Sequence, residues 1–147
     1  MGRIKSATQG YAGDSMKKLI NAKLAGNILL AAFGLLIIFH ILVLLRVIPA
    51  EVVWGGQIQG VPSNLLTLET IALAVTLFFI LIVAAKLGYV RAGRFAGGVN
   101  IGVWLIFGYL LLNTLGNLAS GVTFEKLLFA PITIILALCA FRLAIER

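Results

Sequence analysis

Charge is scarce in this chain, and negative charge scarcer still. Only 12% of the 147 residues are charged, five Asp and Glu against twelve Lys and Arg, where a soluble domain carries about a quarter. A chain so poor in charge and 61% hydrophobic, with a mean hydropathy of +1.10, reads as an integral membrane protein. There is one cysteine, Cys139, inside an apolar run, which excludes an intramolecular disulfide and paired-thiol redox chemistry. With one histidine, His40, and carboxylates at no ligand spacing, no metal centre is expected. The sequence contains no HExxH and no glycine-rich phosphate loop, and neither Ser63 nor Ser120 has a nucleophile-elbow context. Neither an enzyme reaction nor a cofactor is therefore expected.

What the chain does have is four apolar runs, at about residues 24–45, 65–85, 99–118 and 127–143. At ~1.5 Å of rise per residue, a run of that length spans roughly the 30 Å of a bilayer's hydrocarbon layer. The expected fold class is all-α: a polytopic four-transmembrane-helix bundle in one domain, residues 16–147. Residues 1–15 form a polar, glycine-containing tail expected to be mobile. Asp14 and Ser15 can cap a helix opening at Met16, and Met16 itself could be the start of translation, with the tail an upstream extension. Gly2 and Ser6 fit an N-myristoylation pattern, but four spans already anchor the chain.

The basic residues are distributed unevenly. Arg3, Lys5, Lys17, Lys18 and Lys23 precede the first run, Lys86, Arg91 and Arg94 lie between the second and third, and Arg142 and Arg147 close the chain. Only Arg46 and Lys126 fall on the other side. Ten against two is the pattern of positive-inside orientation, with both termini cytoplasmic (N-in/C-in). No nucleic-acid partner is expected, because no aromatic platforms are interleaved with the basic residues. The bilayer is the expected partner, and Lys17, Lys18 and Lys23 are placed to meet lipid phosphates.

Residues 46–64, the longest outer loop, are punctuated by Pro49, Gly55, Gly56, Gly60 and Pro62. Trp54 suits the outer lipid interface, and Arg46 and Glu51 flank Pro49 as a candidate ion pair. Polar side chains gather toward this same side. His40 is near the outer end of the first span, Glu69 and Thr70 lie about a turn inside the second, Asn113, Thr114 and Asn117 are in the outer part of the third, and Glu125 opens the fourth. Tyr109, Asn113, Asn117 and Ser120 recur at helical spacing, a stripe expected to face protein or water. The cytoplasmic half holds little beyond Asn27 and Asn100 and is expected to be apolar. Gly98 and Gly102 have small-xxx-small spacing, a possible close helix approach.

His40, Glu69, Asn113 and Asn117 are thus the candidate polar pocket, with Arg46, Glu51 and Trp54 as outer-loop candidates. An acidic group at hydrocarbon depth is expensive and is usually either paired or functional. Glu69 can be an interfacial carboxylate pairing with Arg46 or a binding and proton-exchange group. His40 can be a proton carrier or a hydrogen-bonding partner for a neighbouring helix.

The sequence His40-x-Leu42-Val43-Leu44, Ile48-Pro49 and Val53-Trp54-Gly55-Gly56-x-Ile58, with Asn113-x-x-Gly116-Asn117 and Phe124-Glu125-Lys126 later, resembles a group of small, uncharacterised four-helix membrane proteins of bacteria. The resemblance implies four spans and a bacterial inner membrane, with no activity attached. Quinone-linked thiol oxidoreductases need cysteine pairs, and small multidrug exporters carry a carboxylate in their first helix. Both are set aside. Two functional readings follow: a solute- or ion-handling protein with an outward-facing pocket that homo-oligomerisation can complete, and a non-transporting accessory or envelope-associated component whose polar residues hold helices, or a partner protein, together.

Overall fold

The computed structural model describes residues 20–49 and 62–146. Four helices make up the architecture: α1 (Ala22–Leu44), α2 (Pro62–Lys86), α3 (Ala96–Ala119) and α4 (Ala130–Ala144). A 3-10 turn, Gly93–Phe95, leads into α3, and a π-helical turn, Glu125–Phe129, leads into α4. Among the described residues there is no strand. All four helical stretches are long and apolar enough to cross a bilayer, the last when counted from Lys126 to Ala144. The chain is a multi-pass membrane protein on that ground.

Backbone chemistry explains where the helices begin and end. Asn21 caps α1, its side chain accepting a hydrogen bond from the Lys23 N–H at 2.8 Å. The backbone at Ile20 and Asn21 is not helical, so no single helix runs from Met16 into the first span, which corrects that expectation. The expected cap at Asp14 and Ser15 lies outside the described residues. Pro62 stands at the first position of α2, where its missing N–H costs no helical bond.

Gly88, at φ 78°, ends α2. The Tyr89 N–H returns to the Ala84 carbonyl and the Gly88 N–H to Ala85, a Schellman stop. α1 ends the same way, with Val47 bonding to Leu42 and Arg46 to Val43. There the left-handed residue is Arg46, at φ 58°.

The π-helical turn also has a local cause. Pro131 cannot donate to the carbonyl of Leu127, and its ring crowds that carbonyl. A wider turn just before the proline relieves the crowding.

The helices run alternately up and down, and each packs on its chain neighbours, with α4 closing the ring against α1. α4 is the most enclosed, half of its span buried against 22% for each of the others. The interior is filled by Leu29 and Phe33 of α1, Phe79 and Val83 of α2, Val103, Ile106 and Leu110 of α3, and Leu136 and Leu143 of α4. These recur every three or four residues along α1, α2 and α3, and on α4 Cys139 and Ala140 fill the interval between Leu136 and Leu143.

Side chains such as Leu35, Phe78, Leu105, Leu112 and Ile135 are exposed, the surface that lipid would cover. Gly102 is a close-approach site. A Cβ there would lie 3.0 Å from two carbons of Ile82 on α2, whereas one at Gly98 would meet nothing. Only one of the two spaced glycines therefore marks a helix contact.

The bundle has two ends. The basal end holds residue 20, the turn 87–95 and residue 145. The distal end holds the end of α1, the start of α2 and the turn 120–124.

Candidate functional site

At the distal end the sequence places a histidine four residues before α1 ends and a glutamate five residues after the α2 span begins at Asn64. With a rise of ~1.5 Å per residue, each lies roughly one to two turns below the helix terminus. The antiparallel packing of α1 on α2 brings them to the same level, and the His40 Nδ1 and Glu69 Oε2 meet at 2.6 Å. Glu69 is only 1% exposed, while the His40 side chain keeps 11% of its surface open. The imidazole is therefore the more accessible member of the pair. Phe39 shields it from one side, ring edge to ring face at 6.0 Å, and Phe39 in turn packs on Phe129 before α4.

A His–Glu contact this short has few chemical states. With one ionisable proton in the pair, either imidazolium faces carboxylate or neutral imidazole faces carboxylic acid. With that proton gone, a neutral ring donates Nδ1–H to a carboxylate. The net charge of the buried pair is the same in the first two states and falls by one when that proton leaves. Gain or loss of a proton is thus the elementary event the geometry can support.

Of the other candidates, those among the described residues lie on α3 and at the end of α1. Asn113 and Asn117 are half-buried on the flank of α3, Tyr109 is 46% exposed, and Ser120 is buried beyond the helix end, its Oγ accepting from the Val122 N–H. The expected polar stripe is rotated by one residue. The buried face of α3 runs through Val103, Ile106, Leu110 and Thr114. Thr114 Oγ1 lies 2.8 Å from Thr133 Oγ1 of α4. Each hydroxyl also reaches a carbonyl of its own helical turn, Leu110 for one and Phe129 for the other. Arg46 is exposed at the end of α1. Glu51 and Trp54 lie outside the described residues.

The expectation that polar groups collect only at the distal end, leaving the other half apolar, is overturned. At the basal end Lys86 Nζ donates to Asn100 Oδ1 at 2.7 Å and to the Glu146 carbonyl at 2.6 Å. Arg142, 4% exposed, donates from Nε to the Ile20 carbonyl at 2.8 Å and from Nη1 to Glu146 Oε2 at 2.7 Å. Tyr89 donates to Asn27 Oδ1 at 2.9 Å. These bonds join all four helices.

In the sequence, Lys86 and Arg142 stand out only as membrane-orienting charges. A signal for Arg142 was present: it follows Leu136 and Cys139 at spacings of three, on the buried face of α4, with Glu146 at i+4. Among the described residues no side-chain nitrogen or oxygen is buried without a partner, and no three His, Cys, Asp or Glu residues converge on a possible metal site.

Compared with known proteins, the chain matches no family model, no curated protein and no solved structure.

Proposed function

We propose that this multi-pass membrane protein takes up a small solute or ion at the distal end of the bundle, with the His40–Glu69 pair exchanging a proton as it does so. The observation that carries this reading is a carboxylate 1% exposed, at hydrocarbon depth, bonded to a histidine whose side chain is 11% exposed. An ionisable pair costs more to bury than the apolar residues that would hold two helices equally well, so its presence argues for a use beyond packing. Asn113 and Asn117 would then serve as flanking polar contacts and not as part of the pair. The distal end would face outward, from the excess of cations at the basal end. The likeness to small bacterial membrane proteins would make the location a bacterial inner membrane.

A second reading rests on a different observation. Polar groups bond across every pair of neighbouring helices, His40 to Glu69, Lys86 to Asn100, Thr114 to Thr133 and Arg142 to the Ile20 carbonyl. That arrangement supports a non-transporting accessory component whose polar residues fix the helices.

Infrared difference spectra of the protein reconstituted in lipid, recorded across pH with and without a panel of amino acids, quaternary amines and alkali cations, separate the two. A Glu69 carboxyl band that titrates, moves with one solute class and vanishes in Glu69→Gln supports proton-linked uptake. A band indifferent to every solute, with Glu69→Gln lowering only thermal stability, supports the accessory role.

A further inference from the structure

Between α3 and α4, on the outside of the bundle, lies a cleft of about 270 Å³ lined by Phe107, Leu111, Ile134, Ala137, Leu138 and Phe141. Its lining is wholly apolar. Ala137, 2% exposed, forms the floor, and Leu111 and Leu138 are exposed at its rim. Along α4 the cleft extends seven residues, from Phe141 to Ile134, about 10 Å at the helical rise. The span itself runs from Lys126 to Ala144. The cleft therefore occupies the basal half of the membrane, so an acyl chain lying in it belongs to a lipid of the basal leaflet. A chain entering from that side passes Trp104, which packs edge-on against both Phe107 and Phe141 at 5.7 and 5.8 Å.

The charge at that end selects the headgroup. Among the described residues the basal end carries Lys23, Lys86, Arg91, Arg94 and Arg142 against the single carboxylate of Glu146. Arg142 follows Phe141 directly, but its guanidinium is enclosed and held by the Ile20 carbonyl and Glu146. Arg91 and Arg94 are exposed in the segment that leads into α3, which forms one wall of the cleft. Cations near a bilayer surface favour anionic lipid.

We propose that the α3–α4 cleft is a binding site for one anionic phospholipid of the basal leaflet, its acyl chain against Phe107, Ala137 and Phe141 and its phosphate held by the basic segment before α3. This inference does not depend on the His40–Glu69 pair.

Trp104 is 42% exposed and serves as the reporter, once Trp54→Phe leaves it the only tryptophan. The protein is placed in phosphatidylcholine vesicles containing a small, fixed fraction of lipid brominated in the acyl chain, either phosphatidylglycerol or phosphatidylcholine. Brominated phosphatidylglycerol is expected to occupy the site at least fivefold more readily, since each cation near the surface contributes a preference of roughly fivefold. Replacing Arg91 and Arg94 together by Gln, both exposed and outside the packed core, is expected to bring the two lipids level. Equal quenching by both lipids in the parent protein overturns the proposal, as does a preference that survives the double substitution. A Trp104 that becomes protected from both lipids as protein per vesicle rises assigns the cleft to a second copy of the chain, which also overturns it.

Discussion

Arg46 occupies a backbone position that favours glycine. Its φ of 58° closes the Schellman stop of α1, and an L-residue in that region costs roughly 1–2 kcal/mol relative to its ordinary conformations. Arg46→Gly should therefore stabilise the protein by about 1 kcal/mol in detergent or lipid, measured as a rise in unfolding midpoint. A fall in the midpoint would mean that the guanidinium contributes more at the bundle surface than the strain removes.

The buried pair illustrates what can be read from individual residues. His40 and Glu69 stand out in the sequence because ionisable groups are rare in apolar runs. Their mutual contact does not, since it depends on the rotation and relative height of two helices separated by the 45–61 connection. Arg142 is the converse case: a cation at the end of an apolar run reads as a membrane-orienting charge, and only the geometry shows its guanidinium enclosed and bonded to the Ile20 carbonyl and Glu146.

For the helices, the requirement that backbone polar groups be satisfied in hydrocarbon makes length and apolarity nearly sufficient evidence. All four spans were legible for that reason. The boundaries moved where local chemistry competes. α3 begins at Ala96, earlier than its glycines suggested, because Gly97 and Gly98 continue the helix. α4 begins late because Pro131 forces a widened turn ahead of it.

Which face of α3 is buried was not legible. Asn113 and Thr114 are adjacent, so a rotation of about 100° decides between them, and the apolar residues surrounding both give no preference. Close packing at Gly102 gives a test on this helix. Gly102→Val should destabilise by about 1–3 kcal/mol, because Ile82 is already in contact and is stiff at its branch point. Gly98→Ala, with open space around it, should be neutral or stabilise by about 0.5–1 kcal/mol. Equal effects at the two positions in a thermal-unfolding comparison would contradict the α2–α3 contact.

For the molecule as a whole, both ends of the bundle are tied by polar bonds and the middle is packed with apolar side chains. The proposed orientation puts the basal end in the cytoplasm. It can be checked with an impermeant thiol reagent on intact cells, since the native Cys139 is 2% exposed within a span and should not react. A cysteine introduced at Gly121 should label from outside, and one at Gly93 only after the membrane is opened. The reverse pattern would put His40 and Glu69 toward the cytoplasm.

The proposed proton exchange can be followed at one atom, because the chain has a single histidine. Solid-state 15N spectra of ring-labelled protein in bilayers report the protonation and hydrogen bonding of His40 Nδ1 directly. The His40–Glu69 account predicts an Nδ1 resonance that responds to bulk pH and shifts sharply in Glu69→Gln. A resonance unchanged by Glu69→Gln, or one that stays fixed across the accessible pH range, would contradict it.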